Sequence, residues 1–334
     1  MASNRPRILL TYPLTARTYW FGDRCLDAMR EVGDVVLNPT DAVLPPKELA
    51  ELGRDCTVMV LDRLTPVTAE LLSLMPNLVA AVRGGVDHRH LDVKAASAAG
   101  VLATQVNAGY RAAVAELVLA LMLDAARSIT PYVSEYRAGR VPPPLRGQQI
   151  AGSTVGIVGY GRIAQQLARI LVAMGASVIA NDPVAEIAAP VEVVDLDTLL
   201  ERSDYVVPLV VFTKETTNMI GEAAFRRMKP TAWLINCSRG DVVDEDALER
   251  ALDERRIAGA AMDVGWATDQ MPSPRLAKWA DVIATPHVGG ITQQSFESHA
   301  MQTVEQTAAI LAGSIPFGAL NAEHATRIAR LRSK

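Results

Sequence analysis

Short runs of aliphatic and β-branched residues alternate with amphipathic segments through most of the chain. This alternation predicts parallel strands joined by helices, as in doubly wound α/β proteins. In the first hundred residues, the predicted strands are 7–12, 57–61, 78–82 and 101–104. From residue 154 onward, they are 154–159, 177–182, 205–211, 232–237, 259–264 and 281–286. The two series predict two Rossmann-like doubly wound parallel-sheet domains.

The segment between the two series, at 111–129, is apolar on nearly all sides. This pattern predicts a buried helix. The helix could lie at a domain junction, at a subunit interface or inside a core, and the pattern is compatible with all three. The segment after it, at 137–152, contains three consecutive prolines, which indicate an extended loop.

The segment at 292–313 is predicted to be helical, with one buried stripe formed by Phe296, Val304, Ala308 and Leu311. We expect this helix to return to the first domain, because the second sheet is already complete before it. The substrate domain is then discontinuous, at 1–105 and 292–334, and the cofactor domain occupies 106–291.

The composition fits a globular protein, since 49% of the 334 residues are hydrophobic and 21% are charged, with a formal net charge of -4. Nothing in it predicts nucleic-acid binding. The longest apolar run, at 205–212, is far too short to span a membrane, and the N-terminus lacks the hydrophobic region of a secretory signal. Three cysteines without a close pair argue against a disulfide framework and against a zinc site. These features predict a cytoplasmic protein without a metal site.

A glycine-rich turn follows the first strand of the second series, in the pattern Gly159-x-Gly161-x-x-Ala164. The first glycine permits a tight turn, the second lets a pyrophosphate approach the backbone, and the small third residue lets the helix pack on the strand. Asp182 lies 23 residues after Gly159, at the end of the next strand. A carboxylate there accepts hydrogen bonds from ribose hydroxyls and repels a 2′-phosphate, so the predicted cofactor is NAD rather than NADP.

Three polar residues follow later strands of the same predicted sheet, namely Arg239, Asp263 and His287. Ligands bind outside the carboxyl ends of the strands in open parallel sheets, so we expect these residues to converge there. Arginine has a forked donor geometry that suits a carboxylate, and histidine can exchange a proton near neutral pH. The combination predicts acid–base chemistry on a small anionic substrate.

Residues 154–183, 231–248 and 281–290 resemble the motifs of the NAD-dependent D-isomer-specific 2-hydroxyacid dehydrogenases, which include phosphoglycerate dehydrogenases and glyoxylate/hydroxypyruvate reductases. The resemblance extends from about residue 50 to about residue 315. It implies two Rossmann-like domains with the active site between them. It also implies a homodimer formed through the cofactor domain, which suits the apolar segment at 111–129.

The resemblance also implies roles for single residues. Arg239 binds the substrate carboxylate and polarises the oxo group, His287 is the acid/base, and Asp263 lies close to the nicotinamide. The stretch RGGVDH at 83–88 resembles the family's substrate loop, in which backbone N–H groups near Gly84 and Gly85 hold the carboxylate. The further cofactor contacts implied by the resemblance are Arg162, Ile163, Thr216 and Cys237.

The chain departs from the family pattern where a glutamate should pair with the catalytic histidine. The corresponding position, 19 residues before His287, is Thr268. Our hypothesis is that the carboxylate of the neighbouring Asp269 pairs with His287; Gln270 is a weaker candidate, since formate-oxidising relatives have an amide there.

A second departure places Arg83 where the family has the first glycine of the substrate loop. Arg83 is either a solvated loop residue or a second anion contact, which would favour a phosphorylated or dicarboxylic substrate such as 3-phosphoglycerate.

The predicted function is hydride transfer between NAD(H) and a small D-2-hydroxy or 2-oxo acid. The alternative is an NAD(H)-sensing binding protein, since transcriptional co-repressors share this fold and the glutamate is missing. The retained Arg239 and His287 favour the enzyme.

Overall fold

The computed structural model describes residues 5–332. The chain forms two compact units: one ends at Gly109 and resumes at Gln293, and the other is Tyr110–Thr292. Each unit contains one parallel sheet, so the predicted fold class of two doubly wound α/β domains, one of them discontinuous, is confirmed. The finer boundaries predicted from the sequence, after residues 105 and 291, stay a prediction.

The discontinuous unit contains a five-stranded parallel sheet with the strand order β2-β1-β3-β4-β5. Its strands are β1 (Arg7–Leu10), β2 (Asp34–Leu37), β3 (Val58–Leu61), β4 (Ala80–Arg83) and β5 (Leu102–Gln105). Ile8 and Leu10 belong to one buried cluster, whereas Leu9 belongs to another. Because neighbouring residues of a strand point to opposite faces, both faces of this sheet are buried.

Helices connect these strands as the parallel order requires. They are α1 (Leu14–Trp20), α2 (Asp23–Val32), α3 (Pro46–Leu52), α4 (Ala69–Leu74) and α5 (Val93–Ala98). Two of them begin at a side-chain cap, since Thr68 accepts a hydrogen bond from the Leu71 N–H and Asp92 accepts one from the Ala95 N–H. Such caps satisfy N–H groups that the helix itself leaves unpaired.

The continuous unit contains a seven-stranded parallel sheet with the order β12-β11-β10-β9-β6-β7-β8. Its strands are β6 (Thr154–Val158), β7 (Ser177–Asn181), β8 (Glu192–Val193), β9 (Tyr205–Pro208), β10 (Trp233–Asn236), β11 (Gly259–Met262) and β12 (Val282–Ala284). The strand order reverses between β6 and β9, which is where doubly wound sheets bind dinucleotides.

The helices of this unit begin with the apolar segment discussed above. They are α6 (Arg111–Arg127), α7 (Ile129–Arg137), α8 (Arg162–Ala173), α9 (Leu196–Arg202), α10 (Glu222–Arg227), α11 (Glu245–Asp253) and α12 (Pro274–Ala277). Val118 and Met122 of α6 are fully buried in the core of their own unit. The helix ends at Arg127, and the next residue, Ser128, has a left-handed φ of 52°. The core of this unit therefore accounts for the buried apolar side chains of α6.

The chain then returns to the first unit with α13 (Gln293–Leu311) and α14 (Ala329–Arg332). The predicted stripe on α13 was wrong at Ala308, which is exposed, and the buried face includes Thr303 and Thr307 instead. These threonines are buried because their hydroxyls donate to the helix carbonyls of Ala300 and Thr303. Within residues 5–332, no helix has the length and apolarity needed to cross a membrane.

Candidate active site

Three neighbouring strands carry the predicted catalytic residues at one edge of the seven-stranded sheet. β10, β11 and β12 are adjacent and parallel, so their carboxyl ends lie side by side. Arg239 follows the end of β10, Asp263 directly follows β11, and His287 follows β12. The main chain links these positions, because the Asp263 N–H donates to the Asn236 carbonyl and the His287 N–H donates to the Asp263 carbonyl, both at 2.9 Å.

Asp263 organises the loop that carries His287. Its side chain is 1% exposed and accepts hydrogen bonds from the Thr285 hydroxyl at 2.6 Å and from the Val288 and Gly289 N–H groups at 2.8 Å. Charge-assisted bonds of this kind are among the stronger ones in proteins. The carboxylate therefore fixes the main chain on both sides of the histidine.

The imidazole of His287 is held by a main-chain oxygen. Its Nδ1 lies 2.8 Å from the Asp269 carbonyl oxygen, so the peptide group of Asp269 contacts the ring. A carbonyl only accepts, so Nδ1 must carry a proton, and Nε2 is the ring nitrogen that this contact leaves unused.

Left-handed backbone surrounds this contact. Asp269 and Gln270 have φ angles of 57° and 58°, and His287 itself has a φ of 55°. Such conformations are uncommon for residues other than glycine and cluster at functional sites. Thr268 begins the short 3-10 turn that includes the first two of these residues.

Arg239 is exposed and keeps most of its donors available. Its Nη1 donates to the Ser238 carbonyl at 2.7 Å, and within residues 5–332 the other guanidinium N–H groups have no hydrogen-bond partner. The buried Asn236 anchors the main chain here, because its Nδ2 donates to the Arg239 carbonyl at 3.0 Å. The main chain at Arg239 is thus fixed, while its planar fork can still bind an anion.

Trp266, which was not predicted as a site residue, links its own loop after β11 to the loop after β10. Its indole Nε1 donates to the carbonyls of Gly240 and Val243 at 3.1 and 3.2 Å. A side chain at Gly240 would collide with the Gly265 backbone, so the two loops are in direct contact. Trp266 therefore connects the Arg239 loop with the loop that contacts His287. The sequence contains four tryptophans, and no spacing distinguishes this one from the others.

The glycine-rich turn has the form that a pyrophosphate requires. Gly159 has a φ of 87°, and a Cβ there would lie 2.8 Å from Val210 Cγ1. At Gly161, by contrast, a Cβ would meet nothing within 4 Å. Gly161 caps α8 without a side-chain hydrogen bond, which leaves its first N–H groups open to an anion. Ala164 is fully buried against the sheet.

The carboxylate of Asp182 accepts hydrogen bonds from the main chain of this turn. One carboxylate oxygen accepts a hydrogen bond from the Tyr160 N–H at 2.7 Å, and the other accepts from the Val184 and Ala185 N–H groups. Although partial burial acts to raise the pKa of Asp182, these three donors hold it below the ordinary 3.8. The side chain is therefore ionised at neutral pH, as ribose binding and the rejection of a 2′-phosphate require.

The other predicted cofactor residues differ in their surroundings. Arg162 is exposed at the first position of α8, and Ile163 packs against the core next to it. The Thr216 hydroxyl donates to the Val211 carbonyl at 2.8 Å, so it braces its own loop. Cys237 is buried beside Asp263, and burial raises the pKa of its thiol.

The predicted substrate loop follows β4 in the discontinuous unit. Gly84 and Gly85 are half-buried, whereas the Arg83 side chain is only 5% exposed. Its Nε donates to the Asp87 carbonyl at 2.9 Å and its Nη1 to the Leu61 carbonyl at 3.4 Å. Arg83 is therefore not the solvated residue that the sequence left open.

The chain is similar to known dehydrogenases over most of its length. Residues 119–289 match the model of the D-isomer specific 2-hydroxyacid dehydrogenase NAD binding domain. A glyoxylate reductase of Thermofilum pendens is 33% identical, over 89% of this chain and 91% of that relative. A D-3-phosphoglycerate dehydrogenase of Methanocaldococcus jannaschii is 32% identical, over 94% of this chain and 59% of that relative.

Solved structures agree with these relatives. The NAD-complexed form of a D-isomer specific 2-hydroxyacid dehydrogenase from Lactobacillus delbrueckii ssp. bulgaricus has a TM-score of 0.81 and 26% identity, and the match covers 95% of this chain and 100% of that one. The open space at Gly161 and the ionised Asp182 fit the same cofactor. These comparisons support an enzyme and not the sensor hypothesis, and they confirm NAD as the cofactor. The chain belongs to the D-isomer specific 2-hydroxyacid dehydrogenases and is an NAD-dependent oxidoreductase acting on 2-hydroxy and 2-oxo acids.

Proposed function

We propose that the protein reduces a small, unphosphorylated 2-oxo acid, of the glyoxylate or hydroxypyruvate kind, to the D-2-hydroxy acid. Relatives named glyoxylate reductase and hydroxypyruvate reductase support this substrate class. The observation that carries the proposal is the fixed tautomer of His287, whose Nδ1 is bound to the Asp269 carbonyl. This contact leaves Nε2 as the atom that exchanges a proton. Both His287 and Arg239 lie at the carboxyl ends of the strands of the seven-stranded sheet.

The proton is delivered by His287. NADH, when bound, supplies the hydride that reduces the 2-oxo carbon. Negative charge develops on the oxo oxygen, and the Nε2–H of the imidazolium donates a proton to it. The Nδ1–H keeps its bond to the Asp269 carbonyl before and after the transfer, so the ring does not reorient.

Arg239 binds the substrate through guanidinium donors that have no partner within residues 5–332. A forked guanidinium can hold a carboxylate oxygen and the oxo oxygen together, and it stabilises the charge that develops on the latter. Asn236 and Trp266 keep the main chain at Arg239 in place, so the geometry exists before the substrate binds. On the cofactor side, the turn at Gly159–Gly161 and the ionised Asp182 hold the dinucleotide.

The test is NADH oxidation at 340 nm against a panel of 2-oxo acids. We expect His287→Asn to lower kcat/KM on the best substrate by about 10²–10⁴-fold, which is the range of general acid catalysis. The matched control is His324→Asn, because the His324 side chain is 59% exposed and lies beside Glu323. Turnover that survives in His287→Asn at the rate of His324→Asn would refute the proposed role.

The same panel separates the substrate classes. A phosphorylated substrate would need a cation exposed to its distal phosphate, and the buried Arg83 does not meet this need. We therefore expect glyoxylate or hydroxypyruvate to be reduced with a higher kcat/KM than 3-phosphohydroxypyruvate. The opposite order would assign the protein to the phosphoglycerate branch.

We propose a homodimer formed through the segment that follows α6. This segment presents large apolar side chains to solvent, at Ile129, Val133, Tyr136, Val141 and Leu145. Clustered apolar exposure of this kind marks interaction surfaces, and a second copy of the chain covers it in our proposal. In light scattering after gel filtration, Val133→Asp with Val141→Asp should give monomers, whereas Val193→Asp, at another exposed valine, should leave the dimer intact. A monomeric wild-type protein would contradict the proposal.

We also propose that the protein acts in the cytoplasm. Its three cysteines, Cys25, Cys56 and Cys237, are all buried and unpaired, as is usual in reducing compartments. Cell fractionation with an antibody tests this location, and recovery in an extracellular or periplasmic fraction would contradict it.

A further inference from the structure

Glu245 is a buried carboxylate at the start of α11. Its side chain is 6% exposed, and its Oε1 accepts a hydrogen bond from the Trp266 N–H at 3.1 Å. It stands at the first position of the helix, directly after Asp244, whose side chain caps the helix by accepting from the Asp246 and Ala247 N–H groups. A negative charge is favourable at the N-terminus of a helix, but a glutamate is rarely buried unless its oxygens have partners. The partner here is the loop after β11.

The ion pair of Glu245 is the weaker of its two contacts. The Arg275 Nη2 lies 3.7 Å from Glu245 Oε2. The same guanidinium is closer to Asp246, at 2.5 Å, and to Glu249, at 2.9 Å. The Arg275 side chain is 43% exposed, so solvent screens these pairs and each contributes little. The hydrogen bond to the Trp266 N–H is therefore the contact through which Glu245 can fix a neighbouring segment.

The loop that Glu245 contacts, at 265–271, is closed by its own main chain. The Gly265 N–H donates to the Gln270 carbonyl at 2.8 Å, and the Ala267 N–H donates to the carbonyl of the residue after it, Met271, at 3.0 Å. Two such bonds across the loop tie its beginning to its end. Because the loop is internally bonded, a contact that fixes its beginning also fixes the residues at its tip.

This loop connects the buried carboxylate with the imidazole of His287. A Cβ at Gly265 would lie 2.9 Å from Glu245 Oε1, so the carboxylate lies directly against the main chain where the loop begins. The next residue, Trp266, donates its N–H to the same oxygen. Three residues later, the Asp269 carbonyl lies 2.8 Å from His287 Nδ1. The acceptor that selects the tautomer of His287 is thus carried by a loop whose beginning is bound to Glu245.

We propose that Glu245 is a positioning residue for the proton transfer, because its carboxylate holds loop 265–271 where the Asp269 carbonyl meets His287. Glu245 acts by the reach of its side chain to the Trp266 N–H and not by its charge. A loop that withdraws leaves Nδ1 of His287 without its acceptor, and the neutral ring can then carry its proton on Nε2 instead. The inference rests on the proposed function, in which His287 delivers the proton through Nε2.

The test uses two substitutions that separate reach from charge. Glu245→Gln keeps an oxygen for the Trp266 N–H and loses the charge, whereas Glu245→Asp keeps the charge and draws the carboxylate back by one methylene. The readout is nitrogen NMR of protein with isotope-labelled histidine at alkaline pH, where imidazoles are neutral, and His287→Asn identifies the signals of His287. We expect the proton on Nδ1 in wild type and in Glu245→Gln, and a larger share on Nε2 in Glu245→Asp. The matched control is Glu249→Asp, the same change one turn later on α11 at another partner of Arg275, and it should keep the wild-type tautomer.

Steady-state reduction of the best 2-oxo acid gives the second readout. Glu245→Asp should lower kcat by about tenfold or more, since a misplacement near 1 Å can cost about 10²-fold, and Glu245→Gln should stay within about threefold of wild type. A wild-type tautomer in Glu245→Asp, or an equal change in Glu249→Asp, would overturn the proposal. If Glu245→Asp does not fold, Glu245→Gln decides alone, because loss of the Nδ1 proton there would also overturn it. A failure of the proposed function is distinguishable: His287→Asn would then leave turnover unchanged while the tautomer of His287 still depended on Glu245.

Discussion

Replacement of Asp263 by asparagine should misplace His287, the acid/base of our proposal, without emptying the space that the carboxylate fills. One oxygen, Oδ1, accepts from the Thr285 hydroxyl and the Val288 N–H, and Oδ2 accepts from the Gly289 N–H. An amide that keeps its oxygen at Oδ1 places its NH2 group against the Gly289 N–H, at a site where the present distance is 2.8 Å. The reverse orientation opposes the Val288 N–H instead. In either case, a donor faces a donor.

The expected loss can be estimated from these contacts. One charge-assisted hydrogen bond disappears and a buried N–H is left unpaired, which together cost about 2–3 kcal/mol. For a unit of this size, about 2 kcal/mol lowers Tm by about 4–8 °C. Strain in the 285–289 loop would move His287, and a displacement near 1 Å lowers kcat by about 10²-fold.

The assay combines a thermal melt with steady-state reduction of the best 2-oxo acid. The control is Asp195→Asn, the same chemical change at the exposed cap of α9, where asparagine serves about as well as aspartate. We expect the control to match wild type in both measurements. If Asp263→Asn also kept its Tm within 1 °C and its kcat within about twofold, the role assigned to the carboxylate would be refuted.

Three further predictions concern the same framework. Asp269→Asn should keep kcat within about twofold of wild type and leave its pH profile unchanged, because His287 contacts the main-chain carbonyl of Asp269. Asparagine also tolerates the left-handed φ at this position. A changed pH profile would instead show that the Asp269 carboxylate pairs with the ring. Gly159→Ala should lower Tm, whereas Gly161→Ala should fold normally and weaken NADH binding in a fluorescence titration, since only the first Cβ collides with protein; equal melting losses would contradict this. Burial lowers the pKa of His299 below 6.5, so the unfolded chain binds its proton first and stability falls as the pH drops through and below that value. Denaturant melts at pH 7 and 5 should show a smaller loss in His299→Gln, and an equal loss would oppose the prediction.

The strands were predictable where both faces of the sheet are covered. β3, for example, is buried at every position, so its residues form a continuous apolar run. β2 and β8 were missed because they lie at sheet edges and are half-buried or exposed, which leaves no such run. On α13, the apolar pattern failed because threonines can be buried when their hydroxyls bond to the helix backbone.

The sequence was enough to predict which strand ends carry the site residues, but it was not enough to predict the contacts that these residues make. Spacing after strands was enough to bring Arg239, Asp263 and His287 to one edge, because parallel strands end together. The contact of His287 with the Asp269 peptide had no signature, since every residue type has the same carbonyl. The burial of Arg83 had no signature for a similar reason, because its partners are main-chain carbonyls, that of Asp87 in a loop and that of Leu61 at the end of β3.

The hydrogen bonds between the Asp182 carboxylate and the main chain limit how the coenzyme preference of this enzyme can be re-engineered. A switch towards NADP requires a neutral or basic residue in place of the acidic one, because the carboxylate repels the additional phosphate. Here the same carboxylate also ties the Tyr160, Val184 and Ala185 N–H groups together. Its removal would therefore loosen the glycine-rich turn, at which we propose that the pyrophosphate shared by both coenzymes binds. A successful exchange should need compensating changes at 183–185, so laboratory evolution is expected to reach it only through combined substitutions.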